Sequence, residues 1–387
     1  MQRPAARRGW RYFATRLNGD GTETMLVPDL PLEGVTLEDV LSGDGSLSGS
    51  LEPVYRSLLG PDGLPVMREW STALYAEHDG EIRAGGILTS SGFNGPTWEV
   101  EATGFTGYGR GMPYTGPGYK GIYVDPIDVV RVIWGHIQGE SGGDIGLEFA
   151  NTTTKGAVSI GTELKQVEFD TQEGPVSFEA GPYKLNFYQS HDLQGNVDDL
   201  AAETPFDYHE RHYWDAQGNL RHRVDIGYPK IGRRRDDLRF VHGVNIFDPV
   251  NLSRAGEDYA SGTLLLGAGE GAAMIHAIRE RTKRPDGRLR RIAVVEDSSI
   301  KSKRRANQRA DAENQWRARL DDFDTVMVQD HPHAPLGAAQ VGDEIRVEGR
   351  GDWVGVDTWV RILAIRAQPD VAGQAEYAVA RTDRLVT

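Results

Sequence analysis

Gly139-Glu-Ser-Gly-Gly143 has the spacing of a nucleophile elbow, which presents a serine oxygen for acyl chemistry. The elbow needs a strand before the serine and a helix after it. Here a helical pattern precedes and a strand pattern follows, so a glycine cluster closing a helix is expected instead. His209-Glu-Arg-His212 invites a zinc-protease reading, but that chemistry needs two histidines at i and i+4 on one helical face. These are three apart in an aromatic, strand-like stretch, which puts them on opposite faces. They read as solvent-facing strand positions.

Asp330-His-Pro-His333 is the best transition-metal candidate, yet it offers no third ligand and reads as a surface loop. Gly267-Ala-Gly-Glu-Gly271 follows a strand as a phosphate loop would. It lacks both the G-x-G-x-x-G spacing and a Walker lysine, so a hairpin connection is expected. Asn18-Gly-Asp-Gly21 and Ser42-Gly-Asp-Gly45 lack the downstream glutamate of a calcium loop and read as turns. No catalytic, cofactor-binding or metal-ligating residue is therefore assigned, and the chain is not expected to be an enzyme.

Two basic clusters stand against a formal net charge of −14: Arg233-Arg-Arg235, and Arg279 to Arg309 with Arg290, Arg291, Lys301, Lys303, Arg304 and Arg305. Runs of this kind are usually solvated faces or intersubunit pairs. The overall charge argues against a general nucleic-acid binder. Without cysteine there is no disulfide, thiolate metal site or cysteine nucleophile. No apolar run approaches the roughly 20 residues of a membrane span, and the basic N-terminus is not followed by an apolar signal core. A cytoplasm-like site of assembly is the expectation.

The elements that must position these residues are mostly strands. At 387 residues, 39% of them apolar, two or three domains are expected, and 47 glycines imply many turns. Trp10–Leu17, Ser46–Leu51, Ser71–His78, Glu81–Thr89 and Thr97–Thr103 read as strands, with Asp79-Gly80 suited to a type I′ turn. A glycine-rich loop over 104–121 leads to a helix. Asp125 caps it, Pro126 opens it, and Ile127, Val130, Trp134 and Ile137 form its apolar face. Strands are also expected at Ile145–Phe149 and Val167–Phe169. Beyond the middle of the chain come strands at Ser261–Gly267, Ala273–Arg279 and Leu289–Glu296. The longest helix is expected over Ile300–Asp321, with Ala306, Ala310, Trp316 and Leu320 on one face and Glu313 beside Arg317. Strands follow at Thr325–Gln329, Glu344–Val347, Trp359–Arg366 and Tyr377–Ala380.

The stretch Asn196–Asn245 organises the chain. It reads as a short helix stopped by Pro205, an aromatic strand, a turn at Gln217-Gly218-Asn219, a returning strand and a basic loop. It carries Leu200-Ala-Ala-Glu-Thr-Pro-Phe-Asp-Tyr208 with Glu210 and Trp214, then Ile226-Gly-Tyr-Pro-Lys-Ile-Gly-Arg-Arg-Arg235 and Asp237-Leu-Arg-Phe240. With Val129–Gln138, Gly267–Gly271, Arg288–Ile292 and Asp330–Pro335, in that order, the chain resembles the minor tail proteins of actinobacterial siphophages. These are baseplate-hub or tail-tip proteins related to the central hub of contractile tails. Lys184-Leu-Asn-Phe-Tyr188 departs from the tryptophan-rich version of the family.

The resemblance implies a β-rich α+β fold: two tail-tube-like β-barrel or sandwich domains with α/β insertions between them. The expected division is a first tube-like domain at 1–115, an α/β insertion at 116–245 with the helix 125–138 and the aromatic hairpin, and a second tube-like domain at 246–387 with the helix 300–321. It also implies a structural virion protein that closes the tail tube of a long non-contractile tail and opens for DNA ejection. Implied partners are two further copies in a homotrimer, a distal tail protein ring, the C-terminal end of the tape measure protein, other tip proteins and passing DNA. Stable membrane insertion is not implied. The competing expectations are a tail-associated cell-wall hydrolase and a host-receptor or glycan-binding module, the latter suggested by 14 tyrosines and 8 tryptophans.

Overall fold

A computed structural model describes residues 8–150, 155–156, 158–163, 165–171, 174–204, 206–248, 253–254, 259–269, 271, 274–280, 287–297, 300, 303–317, 321–322, 324–350, 355–371 and 373–382. The described residues are β-rich, with far more strand than helix. It divides into two compact units, residues 1–231 with 364–372, and residues 232–363 with 373–387.

In the first unit the strands are β1 (Trp10–Leu17), β2 (Glu23–Val27), β3 (Glu33–Val40), β4 (Ser46–Leu51), β5 (Thr72–His78), β6 (Glu81–Asn94) and β7 (Thr97–Thr103). They form an antiparallel path β3-β4-β7-β6-β5-β1-β2. Then come β8 (Tyr119–Gly121), α1 (Pro126–Gly139), β9 (Leu147–Phe149), β10 (Lys165–Thr171), β11 (Gly174–Ala180), β12 (Tyr183–Leu185), α2 (Leu193–Glu203), β13 (Asp207–Trp214) and β14 (Leu220–Gly227). β13 and β14 form an antiparallel hairpin, and β14 pairs with β9 in parallel. In the second unit β15 (Phe240–Val241) precedes β16 (Ser253–Arg254), β17 (Gly262–Leu266), β18 (His276–Glu280), β19 (Ile292–Glu296), α3 (Lys303–Trp316), β20 (Asp321–Asp322), β21 (Thr325–Gln329), β22 (Glu344–Arg350), β23 (Gly355–Ala367) and β24 (Gln374–Arg381). There β22 pairs with β23, β21 with β24, and β17 with both β18 and β19. The last residues of β23, Ala364–Ala367, belong to the first unit, where they pair with β3.

The main sheet of the first unit is covered on both faces, and the alternation of its side chains shows how. Phe13, Ala73, Tyr75 and Ile87 pack into the cluster that holds α1, while Ala14, Leu74, Ala76 and Leu88 join Leu47, Trp98 and Val100 behind the sheet. A strand buried on both faces loses the polar half of its pattern, and β5 is buried from Thr72 to Glu77. Asp79 and Gly80 both have positive φ, 52° and 87°, as the type I′ turn requires. α1 begins as its residues dictate: the Asp125 side chain accepts from the Ile127 amide, Pro126 stands in the first turn, and Ile127, Val130, Trp134 and Ile137 are buried.

Three expectations change. α3 spans Lys303–Trp316 and equals α1 at 14 residues; it does not reach Asp321, which pairs with Arg254 in the β16–β20 ribbon. Ala306 and Ala310 are buried and Arg317 meets Glu313 at 3.2 Å, but Leu320 and the Trp316 side chain lie outside the described residues. β3 is an additional strand whose Val35 and Leu37 enter the core. The helix before the hairpin starts earlier, at Leu193, because Asp192 caps it through the Gly195 amide; Pro205 lies outside the described residues.

Candidate functional site: a buried histidine–glutamate chain

The hairpin β13–β14 closes through Asp215, whose Oδ1 accepts from the Gln217 and Asn219 amides, with Gly218 at φ 79°. This turn sets the register that places His212 directly opposite His222. Period two then sends Tyr208, Glu210, His212 and Trp214 to one face and His209, Arg211 and Tyr213 to the other. The first face packs on the main sheet and is buried.

There, four side chains form a continuous hydrogen-bonded chain. Glu210 Oε1 lies 2.7 Å from His212 Nε2, His212 Nδ1 lies 2.8 Å from His222 Nδ1, and His222 Nε2 lies 2.5 Å from Glu23 Oε1. All four side chains are below a tenth exposed. Glu210 also accepts from the Phe105 and Thr106 amides and the Thr106 hydroxyl, while Glu23 accepts from the Thr15 and Tyr75 hydroxyls. The rings are packed in: Phe105 stacks on His222 with centroids 4.3 Å apart, and Tyr75 lies 5.8 Å from His222 and 5.7 Å from His212.

Burial acts to raise the Glu23 carboxyl. The charge and hydrogen bond of His222, with Thr15 and Tyr75, outweigh it and hold the group below its usual range. Glu210 behaves alike: burial opposes ionisation, but His212 and the Thr106 and Phe105 amides hold it low. Burial, reinforced by the Glu23 charge, pushes the Tyr75 hydroxyl well above its ordinary value. Thus both ends of the chain are carboxylates. Beside it, Arg110 bridges Asp44 and Asp198, and the Tyr208 hydroxyl donates to Asp198 at 2.6 Å.

The site has no room for a larger partner at Gly85. A Cβ there would stand 2.6 Å from Tyr75 Cδ1 and 2.8 Å from His212 Cδ2, two buried rings. Gly85→Ala is expected to destabilise the protein by about 1–3 kcal/mol through overpacking. Urea unfolding measures this, and a neutral result would show that the rings yield.

The two sequence-flagged histidines part company, as a strand requires. His209 faces Asp39 at 2.6 Å, away from His212. Neither is solvent-facing, however. The polar face of β13 turned inward because each charge on it found a partner. Among the described residues no group of three or more His, Asp or Glu is placed to hold a metal. At Asp330–His333, His331 Nδ1 accepts from the His333 amide, making a turn. Gly267-Ala-Gly joins β17 to β18, with Gly269 at φ 116°. Ser141 follows α1 and precedes β9.

Most described residues of the basic clusters are exposed, as a solvated face requires, and several pair with acids of the same chain. Arg235 is buried against Asp237 and Asp343, and Arg234 lies 3.6 Å over the Trp359 ring. Arg279, Arg290 and Arg309 meet Asp311, Glu280 and Glu313. Lys301 lies outside the described residues. The site residues that sequence reasoning missed are Glu23, Tyr75 and His222. His222 was reachable by counting back from the Gln217–Asn219 turn; Glu23 lies 199 residues from it and left no local signal.

No family model matches the sequence, and no curated protein matches it. Solved structures do. The 43 kDa tail protein of prophage MuSo2 from Shewanella oneidensis aligns with a TM-score of 0.56 and 13% identity, over 97% of this chain and 100% of that one. A tail protein from Neisseria meningitidis gives 0.53 and 14%, over 97% of each chain. A Francisella PdpA–VgrG complex gives 0.51 and 9%, over 98% of this chain and 66% of that one. The chain therefore has the fold of phage tail proteins.

Proposed function

We propose that this chain is a structural subunit of a phage tail end: the baseplate or tail-tip hub of a long non-contractile tail, as in actinobacterial siphophages. The observation that carries the reading is the end-to-end fold match to phage tail proteins, 97% of this chain against 97–100% of theirs. The order of sequence blocks shared with siphophage minor tail proteins points the same way. In this reading three copies surround the tail axis, matching two tube-like domains per chain to a six-fold tube. The distal tail protein ring, the tape measure protein's C-terminal end and other tip proteins are the neighbours, and the complex assembles in the host cytoplasm and is carried in the virion. A net charge of −14 keeps passing DNA from adhering.

The chain performs no reaction in this role. The purified protein should run as a trimer by light scattering and leave host cell wall intact in a zymogram. A stable monomer would contradict the trimer, and clearing abolished by Ser141→Ala would favour a tail-borne hydrolase.

A further inference from the structure

The protons on the Glu210–His212–His222–Glu23 chain can be counted from its geometry. Each Nε2 faces an ionised carboxylate and so carries hydrogen. The two Nδ1 atoms, 2.8 Å apart, share one hydrogen between them. Three hydrogens on four ring nitrogens make one imidazole and one imidazolium against two carboxylates.

We propose that this single shared proton makes the β13–β14 hairpin a two-sided pH lock, tightest near pH 6.5 and loosened by either gaining or losing a proton. A second proton would set two N–H groups facing each other, and its loss would set two lone pairs facing each other. Either state breaks the central bond between two buried rings whose outer nitrogens are already held by Glu210 and Glu23. The other charged groups around the chain are committed elsewhere. Arg11 of β1 and Trp214 of β13 hold Glu77 of β5; Arg110 holds Asp44, before β4, and Asp198 of α2, which also accepts from Tyr208. Tyr75 of β5 stays protonated on Glu23. On the outer face Arg211 and Arg223 meet Asp225, Arg221 meets Asp215, and His209 meets Asp39.

The signs follow from proton linkage. An unfolded pair of histidines, each titrating at about 6.5, binds two protons in acid and none in alkali, whereas the folded pair holds one. Stability from the lock therefore rises with pH below about 6.5 and falls above it. The opening constant of the hairpin should increase about eightfold at pH 5 and about eightfold at pH 8, relative to pH 6.5. The carboxylates act separately. Because Glu23 and Glu210 are held low when folded, their contribution is present above the ordinary carboxyl range and lost only as pH falls through their lowered values.

Amide hydrogen exchange along β13 and β14 in the full chain, corrected for intrinsic rates, reads the opening constant directly. Protection is expected to peak near pH 6.5 in the native chain and to lose that peak in the His212→Gln, His222→Gln double variant. Protection that climbs steadily to pH 8, or steadily to pH 5, would overturn the proposal. If the variant does not fold, nitrogen-15 spectra of the native imidazoles at pH 6.5 decide: both Nε2 protonated with one hydrogen shared by the Nδ1 atoms supports the lock. Two neutral rings overturn it.

Discussion

Glu210→Ala is expected to destabilise the first unit by about 3–5 kcal/mol, the cost of removing one partner from a buried charged pair. The carboxylate takes hydrogen bonds from the Phe105 amide, the Thr106 amide and hydroxyl, and His212 Nε2, all between 2.7 and 3.0 Å. Alanine leaves those donors buried without an acceptor and leaves the imidazolium facing a void. The loss should spread along the chain, since His212 orients His222 and His222 orients Glu23. Glu210→Gln keeps an acceptor for the backbone amides but discards the charge, so it should fall between alanine and the native residue. Urea unfolding of the three proteins gives the order. An alanine variant within about 0.5 kcal/mol of native would mean that the pairing contributes nothing net.

The second large effect belongs to the second unit. Arg235 offers a two-pronged contact to Asp237 at 2.8 Å, and its remaining nitrogen reaches Asp343 at 3.1 Å and the Ala338 carbonyl. Asp237 is 58% exposed, so that half of the pairing is screened and contributes up to about 1 kcal/mol. Asp343 is 8% exposed and also accepts from the Arg233 and Gln340 amides, so it cannot leave the interior when its cation is removed. Arg235→Ala should therefore cost about 3–5 kcal/mol. Arg235→Lys should recover only part of this, because an ammonium cannot span two carboxylates and a carbonyl with the geometry of a planar fork. Equal stability of the lysine variant and the native protein would contradict that geometry.

Local signals were legible in the sequence wherever a few adjacent residues determine the outcome. Asp125-Pro126 starts α1, Asp79-Gly80 turns β5 into β6, and Trp98, Val100 and Ala102 alternate into the core as their spacing requires. What escaped notice depends on distant pairing. The polar residues of β13 read as a wet face because an isolated Glu210 or His212 belongs in water. They are buried because Phe105, Thr106 and His222 supply partners, and His222 in turn meets Glu23, distant in sequence. Within Arg233-Arg-Arg235 the first two are exposed, but Arg235 is buried for the same reason: Asp343, which neutralises it, lies 108 residues downstream. Helix ends obey a similar limit, since the periodic pattern of α3 continues into Asp321, which is claimed by the β16–β20 ribbon.

The proposed placement of this chain at the end of a phage tail is tested most directly by reconstructing the tail tips of purified virions without imposed symmetry. The account predicts three copies of this chain around the tail axis, closing the tube beneath the last distal ring. Tips that lack the chain, or that carry it as single peripheral copies away from the axis, would contradict it.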